Sequence, residues 1–218
     1  MGYNVAIDGP AGAGKSTIAK LVAKEKGYIY VDTGAMYRGM AIHFLDKGIR
    51  AEETDKIVNA LKDAEVTIRY EEGLQQVYLN GRNITDRLRE EEVGKMASLT
   101  SAIPQVRQKL LELQKGLART QDVIMDGRDI GTCVLPYADV KIYLTASVET
   151  RAKRRYDELT EKGIACDLDE IERDIKERDE RDSTREIAPL KQAEDAVLVD
   201  SSHMTIDEVV AAIVKLCR

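Results

Sequence analysis

An α/β fold built on a five-stranded parallel sheet flanked by helices is what this sequence predicts, on three observations. An apolar run enters a glycine-rich loop and leaves it as an amphipathic helix near the N-terminus. Short apolar runs of strand length recur along the chain. Helical patterns lie between them, and alternation of this kind places helices on both faces of a parallel sheet.

The strand runs are Tyr3–Asp8, Tyr28–Asp32, Asp122–Asp126, Val140–Thr145 and Ala196–Asp200, each with the length and β-branched content of a buried strand. Several end on Asp or Gly, where chains of open α/β sheets turn toward a ligand. Ile18, Leu21 and Val22 give one face of a helix opening at Lys15. Val106, Leu110, Leu113 and Leu117 recur at i, i+4, i+7 and i+11, and Pro104 suits the start of their helix. Ile206, Val209, Val210, Ile213 and Val214 form a last apolar stripe.

Two stretches break the alternation. Val66, Ile68 and Tyr70, then Val77 and Leu79, alternate with polar residues, with turns at Glu71-Glu72-Gly73 and Asn80-Gly81. A small antiparallel insertion over about residues 62–96 follows. The stretch of about 147–187 is helical and densely charged, with Ile171 and Ile175 almost its only apolar anchors. It gains little from burial and is a candidate for motion. The whole chain, 1–218, reads as a single domain.

Composition narrows the function. Net charge is −6, which argues against a general binder of nucleic acid or membrane surfaces, since such proteins need a positive field. No stretch approaches the roughly 20 apolar residues that span a bilayer, and no signal-peptide pattern opens the chain, so the cytoplasm is the expected address. Cys133, Cys166 and Cys217 lack CxxC or His-paired spacing, so packing or reduced thiols are expected rather than a zinc site or disulfides.

Gly9-Pro10-Ala11-Gly12-Ala13-Gly14-Lys15-Ser16, followed by Thr17, fits G-x-x-x-x-G-K-[ST] in full. Its glycines let the backbone wrap phosphate oxygens with N–H donors, and the helix opening at Lys15 adds its positive end. Lys15 can reach β- and γ-phosphates, while the Ser16 hydroxyl can ligate Mg²⁺. A chance glycine-rich turn would lack the strand entering and the helix leaving. GTPases usually carry a later Asn-Lys-x-Asp motif, absent here. The branch left is a kinase acting on a small acceptor.

If that acceptor is itself a phosphate, arginines must offset its repulsion from the donor. Arg38 follows the second strand and Arg128 the third, both in glycine-flanked turns at the sheet end that bears the phosphate loop. Arg178, Arg181 and Arg185 would share one face of a continuous helix. Charge spacing leaves those three open between a ligand site and solvated ion pairs, whereas Arg155 and Arg173 read as solvated.

Together these segments resemble cytidylate kinases of the bacterial type, a family of P-loop nucleoside monophosphate kinases. The most selective are Asp32-Thr33-Gly34-Ala35-Met36-Tyr37-Arg38, Asp126-Gly127-Arg128-Asp129-Ile130-Gly131-Thr132 and Lys176-Glu177-Arg178-Asp179-Glu180-Arg181-Asp182. Ser98, the Ile103–Arg107 segment, Arg185 and Ala188-Pro189-Leu190 complete the match, which covers essentially the whole chain. The resemblance implies a P-loop kinase fold with a nucleotide-binding insertion and a helical lid. It implies phosphoryl transfer from MgATP to CMP or dCMP, and a monomer is expected. It places Thr33, Arg107, Asp129 and Arg185 around the pyrimidine, and Ser98, Arg178 and Asp182 at the sugar. Arg38 and Arg128 would hold the acceptor phosphate. Arg151 and Arg154, in the charged segment, would close over the transferring group.

Other candidates are blander. His43 and His203 stand alone and suggest packing or surface roles. Asp8 reads as a support for the phosphate loop ahead of a place near Mg²⁺, and Asp126 as a group near the metal or an orienter of Arg128.

Overall fold

The computed structural model describes residues 2–218. In chain order its elements begin with β1 (Asn4–Asp8), α1 (Lys15–Lys26), β2 (Ile29–Asp32), α2 (Thr33–Asp46) and α3 (Thr54–Ala60). Next come β3 (Val66–Glu71), β4 (Leu74–Leu79), β5 (Arg82–Asn83), α4 (Glu91–Thr100), α5 (Pro104–Ala118) and β6 (Val123–Gly127). The chain ends with β7 (Val140–Thr145), α6 (Val148–Glu161), α7 (Leu168–Thr184), β8 (Val197–Asp200) and α8 (Ile206–Val214). The five-stranded sheet runs β2-β6-β1-β7-β8 and the small one β3-β4-β5. The chain divides into two compact units, one of Gly2 with residues 30–121, the other of residues 3–29 and 122–218.

In the second unit β1 lies between β6 and β7, parallel to both, with Ile7 beside Asp126 and Ile142. Val5, Ala6 and Ile7 are fully buried, as are Val123, Ile124 and Met125, which is why these runs are apolar without alternation. β8 pairs with β7 and forms the edge. Its Val197 and Leu198 are exposed, so this run is an edge strand and not the buried strand its composition predicts. On α1 the buried face is Ile18, Ala19, Val22 and Ala23, while Leu21, expected on it, is exposed. α8 opens with a capping box of Thr205 and Glu208 and buries Val209, Val210 and Ile213. Ile206 stays exposed, because the first turn of α8 faces outward. α6 and α7 pack on each other, anchored by Ala152 and Ile175.

In the first unit α2 packs against α4, α5 and β4. β3 and β4 pair antiparallel through the turn at Glu72-Gly73, and Asn80 takes a left-handed conformation (φ 49°) in the next turn. Such turns match the twist of paired strands. α5 starts on Pro104 and buries Val106, Leu110, Gln114 and Ala118, so its face follows a strict i+4 line and leaves Leu113 and Leu117 half-buried. Among the described residues no helix is long and apolar enough to cross a membrane.

Candidate active site

The phosphate loop leaves β1 at Gly9, whose φ of 151° and position allow no side chain: a Cβ there would lie 1.9 Å from the Leu144 carbonyl oxygen. Gly14 caps α1 in a left-handed conformation. Lys15 is buried and donates from Nζ to the Pro10 carbonyl at 2.7 Å. Burial, reinforced by the charges of Arg128 and Arg178 and opposed by Asp126 and Asp8, holds its ammonium well below the ordinary lysine range. Phosphate oxygens brought to this loop would favour the charged ammonium.

Ser16 donates from Oγ to Asp126 Oδ2 at 3.0 Å. Hydroxyl and carboxylate are hard oxygen donors at the mouth of the loop. This pair fits Mg²⁺, which takes few protein ligands and completes its shell with phosphate oxygens and water. Asp8, expected to support the loop, instead accepts from the N–H groups of Ile130 (2.8 Å) and Gly131 (2.7 Å). It thereby fixes the π-helical turn of Ile130–Val134 that follows β6. Burial pushes its carboxyl up to about 6 against those two donors.

The turn after β6 carries Arg128 and Asp129. Arg128 Nε donates to Asp182 Oδ2 at 2.8 Å. Burial alone would raise the Asp182 carboxyl, but Arg128, by charge and hydrogen bond, outweighs it together with Arg178 and Arg185 and holds it below its ordinary range. Arg185 Nη2 lies 3.4 Å from Asp129 Oδ1, with both side chains nearly buried, and its Nε donates to the Ala188 carbonyl at 2.7 Å. The expected single face of Arg178, Arg181 and Arg185 is not formed. α7 ends at Thr184, Arg185 sits beyond it in extended backbone, and Arg181 is half-exposed beside Glu177. Arg155 pairs with Glu158 on the α6 surface.

Arg151 is buried, with its guanidinium donating to the Ala146 and Ala11 carbonyls, each at 2.9 Å, and meeting Asp179 Oδ2 at 2.7 Å. Arg154 donates to the carbonyl and hydroxyl of Ser201, just past β8.

The remaining candidates belong to the first unit. Asp32 caps α2 by accepting from the Ala35 N–H, and its other oxygen accepts from Arg38 Nη2 at 2.9 Å. Gly34 leaves the space this pair needs, since a Cβ there would lie 3.0 Å from Arg38 Nη1. Arg38 Nε is buried with no hydrogen-bond partner. Thr33 is buried at the first position of α2. On α4 the Ser98 hydroxyl is likewise buried without a partner. Arg107 on α5 donates to the Ser101 carbonyl at 3.2 Å and lies 5.7 Å from the centre of the Tyr37 ring.

Asp32 and Asp179 were not foreseen as partners of site arginines. Asp32 has a local signal, an Asp three residues ahead of a helical N–H. Asp179 has none, because its partner lies 28 residues away in sequence. His43 is a packing residue whose Nε2 lies 3.0 Å from the Ala60 carbonyl oxygen, and the three cysteines are free.

A parallel sheet with this loop at the end of its first strand, and the Arg128–Asp182, Arg185–Asp129 and Arg151–Asp179 pairs in the same unit, defines a P-loop phosphotransferase. The cytidylate kinase family model matches residues 5–218. The chain is 50% identical to the cytidylate kinase of Caldicellulosiruptor saccharolyticus over 98% of its own length and 94% of the relative's. It is also 50% identical to that of Lactobacillus johnsonii, over 98% and 93%. The chain belongs to the cytidylate kinase family. In fold it is similar to the crystal structure of an uncharacterized protein from Eubacterium ventriosum, at TM-score 0.52 and 12% identity, covering 98% of this chain and 96% of the other.

Proposed function

We propose that this protein transfers the γ-phosphoryl group of ATP to CMP or dCMP, giving CDP or dCDP and ADP. The observation that carries this reading is the buried Asp129–Arg185 pair in the turn after β6. A carboxylate accepts from the exocyclic amine of cytosine, while the guanidinium donates to its ring nitrogen or carbonyl. Uracil would turn a carbonyl toward the carboxylate and leave buried groups unpaired.

In this reading Gly9–Thr17 wrap the ATP phosphates, and Lys15 carries charge to the β- and γ-oxygens. Ser16, with Asp126 behind it, holds Mg²⁺, which when bound offsets phosphate charge. Arg38 and Arg128 hold the acceptor phosphate in line. That phosphate is already ionised near neutral pH, so positioning and neutralisation replace a strong base. Thr33 and Arg107 join Asp129 and Arg185 around the pyrimidine, and Ser98, Arg178 and Asp182 face the sugar. The orphan Ser98 hydroxyl suits a group awaiting a ligand partner. Arg154 belongs to the lid of about 147–187, whose closure limits ATP hydrolysis by excluding water, whereas Arg151 of the same segment keeps its guanidinium on Ala11, Ala146 and Asp179. The segment of about 62–96 is the nucleotide-binding insertion of a single domain. The protein acts in the cytoplasm as a monomer, with no nucleic-acid partner.

A coupled assay of ADP release over CMP, dCMP, UMP and AMP tests this. Turnover with CMP and dCMP well above the other two is expected, and equal turnover of UMP and CMP would overturn the role given to Asp129.

A further inference from the structure

Arg151 uses all three of its guanidinium nitrogens inside the protein. Nε meets the Ala146 carbonyl, Nη1 the Ala11 carbonyl of the phosphate loop, and Nη2 the Asp179 carboxylate. Its aliphatic stem lies along the same loop, with the arginine Cβ 3.4 Å from where a Cβ on Gly12 would stand. Only 4% of Arg151 is exposed, so its charge depends on the one carboxylate it touches. Asp179 answers with Oδ2 alone, and its Oδ1 is buried with no hydrogen-bond partner.

We infer that Asp179 is a positioning residue for the phosphate loop, acting through Arg151. The guanidinium is planar, so fixing Nη2 on Asp179 and Nε on Ala146 fixes the direction of Nη1. Nη1 then holds the Ala11 carbonyl, and with it the plane of the Ala11–Gly12 peptide. In a trans peptide the N–H points opposite to the C=O. The Gly12 N–H is therefore turned away from Arg151, to the side where the loop gathers donors for phosphate. Asp179 sits on α7 between Arg178 and Asp182, so the helix bearing those acceptor-side residues also sets one donor of the ATP loop. The inference rests on the reading of Gly9–Thr17 as the ATP loop.

Calorimetry on the full-length protein tests it, with MgATP and CMP titrated separately into Asp179→Asn, Asp179→Glu and Arg151→Lys. Asp179→Asn is expected to weaken MgATP binding about tenfold, the worth of one well-aimed hydrogen bond, while CMP affinity changes much less. Asp179→Glu should recover part of the loss. In the Arg151→Lys background Asp179→Asn should have little further effect. A mere staple between α6 and α7 would lower the melting temperature and weaken both ligands together, and that result overturns the inference. So does unchanged MgATP affinity, or a full additional loss on top of Arg151→Lys. Lys15→Ala, run alongside, tests the loop itself: loss of turnover there with normal MgATP binding in Asp179→Asn refutes only the role of Asp179.

Discussion

Arg128 reaches from the turn after β6 to α7, its Nε donating across 2.8 Å to an Asp182 carboxylate that is 7% exposed. The pair joins two segments far apart in sequence. Nη1 of the same guanidinium donates to the Gly127 carbonyl at 3.3 Å, so the side chain is held at two of its three nitrogens.

Asp182→Asn keeps the shape and removes the charge. We expect the KM for CMP to rise about tenfold or more, as for loss of a charge-assisted hydrogen bond, with ATP affinity little changed. Stability responds to acid in a set direction. The folded carboxyl ionises below the unfolded value of 3.8, so its contribution is complete above that pH and is lost as pH falls through the lower folded value. Urea unfolding between pH 5 and 2.5 should show a shallower acid decline for the variant than for the parent.

Asp8 has the opposite sign. Its folded value of about 6 against an ordinary 3.8 means the native state keeps a proton that the unfolded chain releases. The associated stability is fully present below about pH 4 and lost as pH rises through 6, on the order of 3 kcal/mol in all. The stability difference between the parent and Asp8→Asn should therefore shrink by that amount from pH 4 to 7. A constant difference would show that Asp8 ionises normally.

Lys15→Ala should leave the melting temperature nearly unchanged or raised, because it removes a buried amine held below its ordinary basicity. Turnover should fall on the order of a hundred- to a thousandfold, the cost of losing one preorganised charge on the transferring group. Coupled ADP release and calorimetric melting measure the two effects separately.

Ser98→Ala separates binding from folding in the same way. Its buried hydroxyl has no protein partner to lose, so stability should change by less than about 0.5 kcal/mol. The KM for CMP should rise several-fold, and a KM equal to the parent's would remove Ser98 from the sugar site.

Asp129→Ala should erode the preference for CMP over UMP by about a hundredfold or more, because polar discrimination rests on buried groups left unpaired. The measurement is kcat/KM for both acceptors, and an unchanged ratio would move specificity to other residues.

The sheet and the phosphate loop were legible because their signals are local. Buried parallel strands read as continuous apolar runs, and the loop follows from glycine, lysine and hydroxyl at fixed spacing. The β3–β4–β5 hairpins were legible from alternation and two turn pairs. Amphipathic faces were read less well: Leu21 and Ile206 are exposed where alanines and a helix cap decide the contact surface. Arg185 misled because a charge pattern of helical period ran past the true end of α7. Partnerships such as Arg151 with Asp179, or Asp8 with the Ile130 and Gly131 amides, join residues with no spacing rule between them. Only packing brings them together.

The edge of the main sheet has a consequence for handling the protein. β8 is four residues long, exposes Val197 and Leu198, and is bracketed by Asp195 and Asp200. A bare apolar edge invites strand addition from another molecule, and flanking acids discourage it by mutual repulsion. Both carboxyls are held below their ordinary range, Asp195 by Lys141 and Asp200 by Ser202. Asp195 spends its charge on Lys141, so Asp200 at the end of the strand is the acid left to guard this edge, and it stays ionised in mildly acidic buffers.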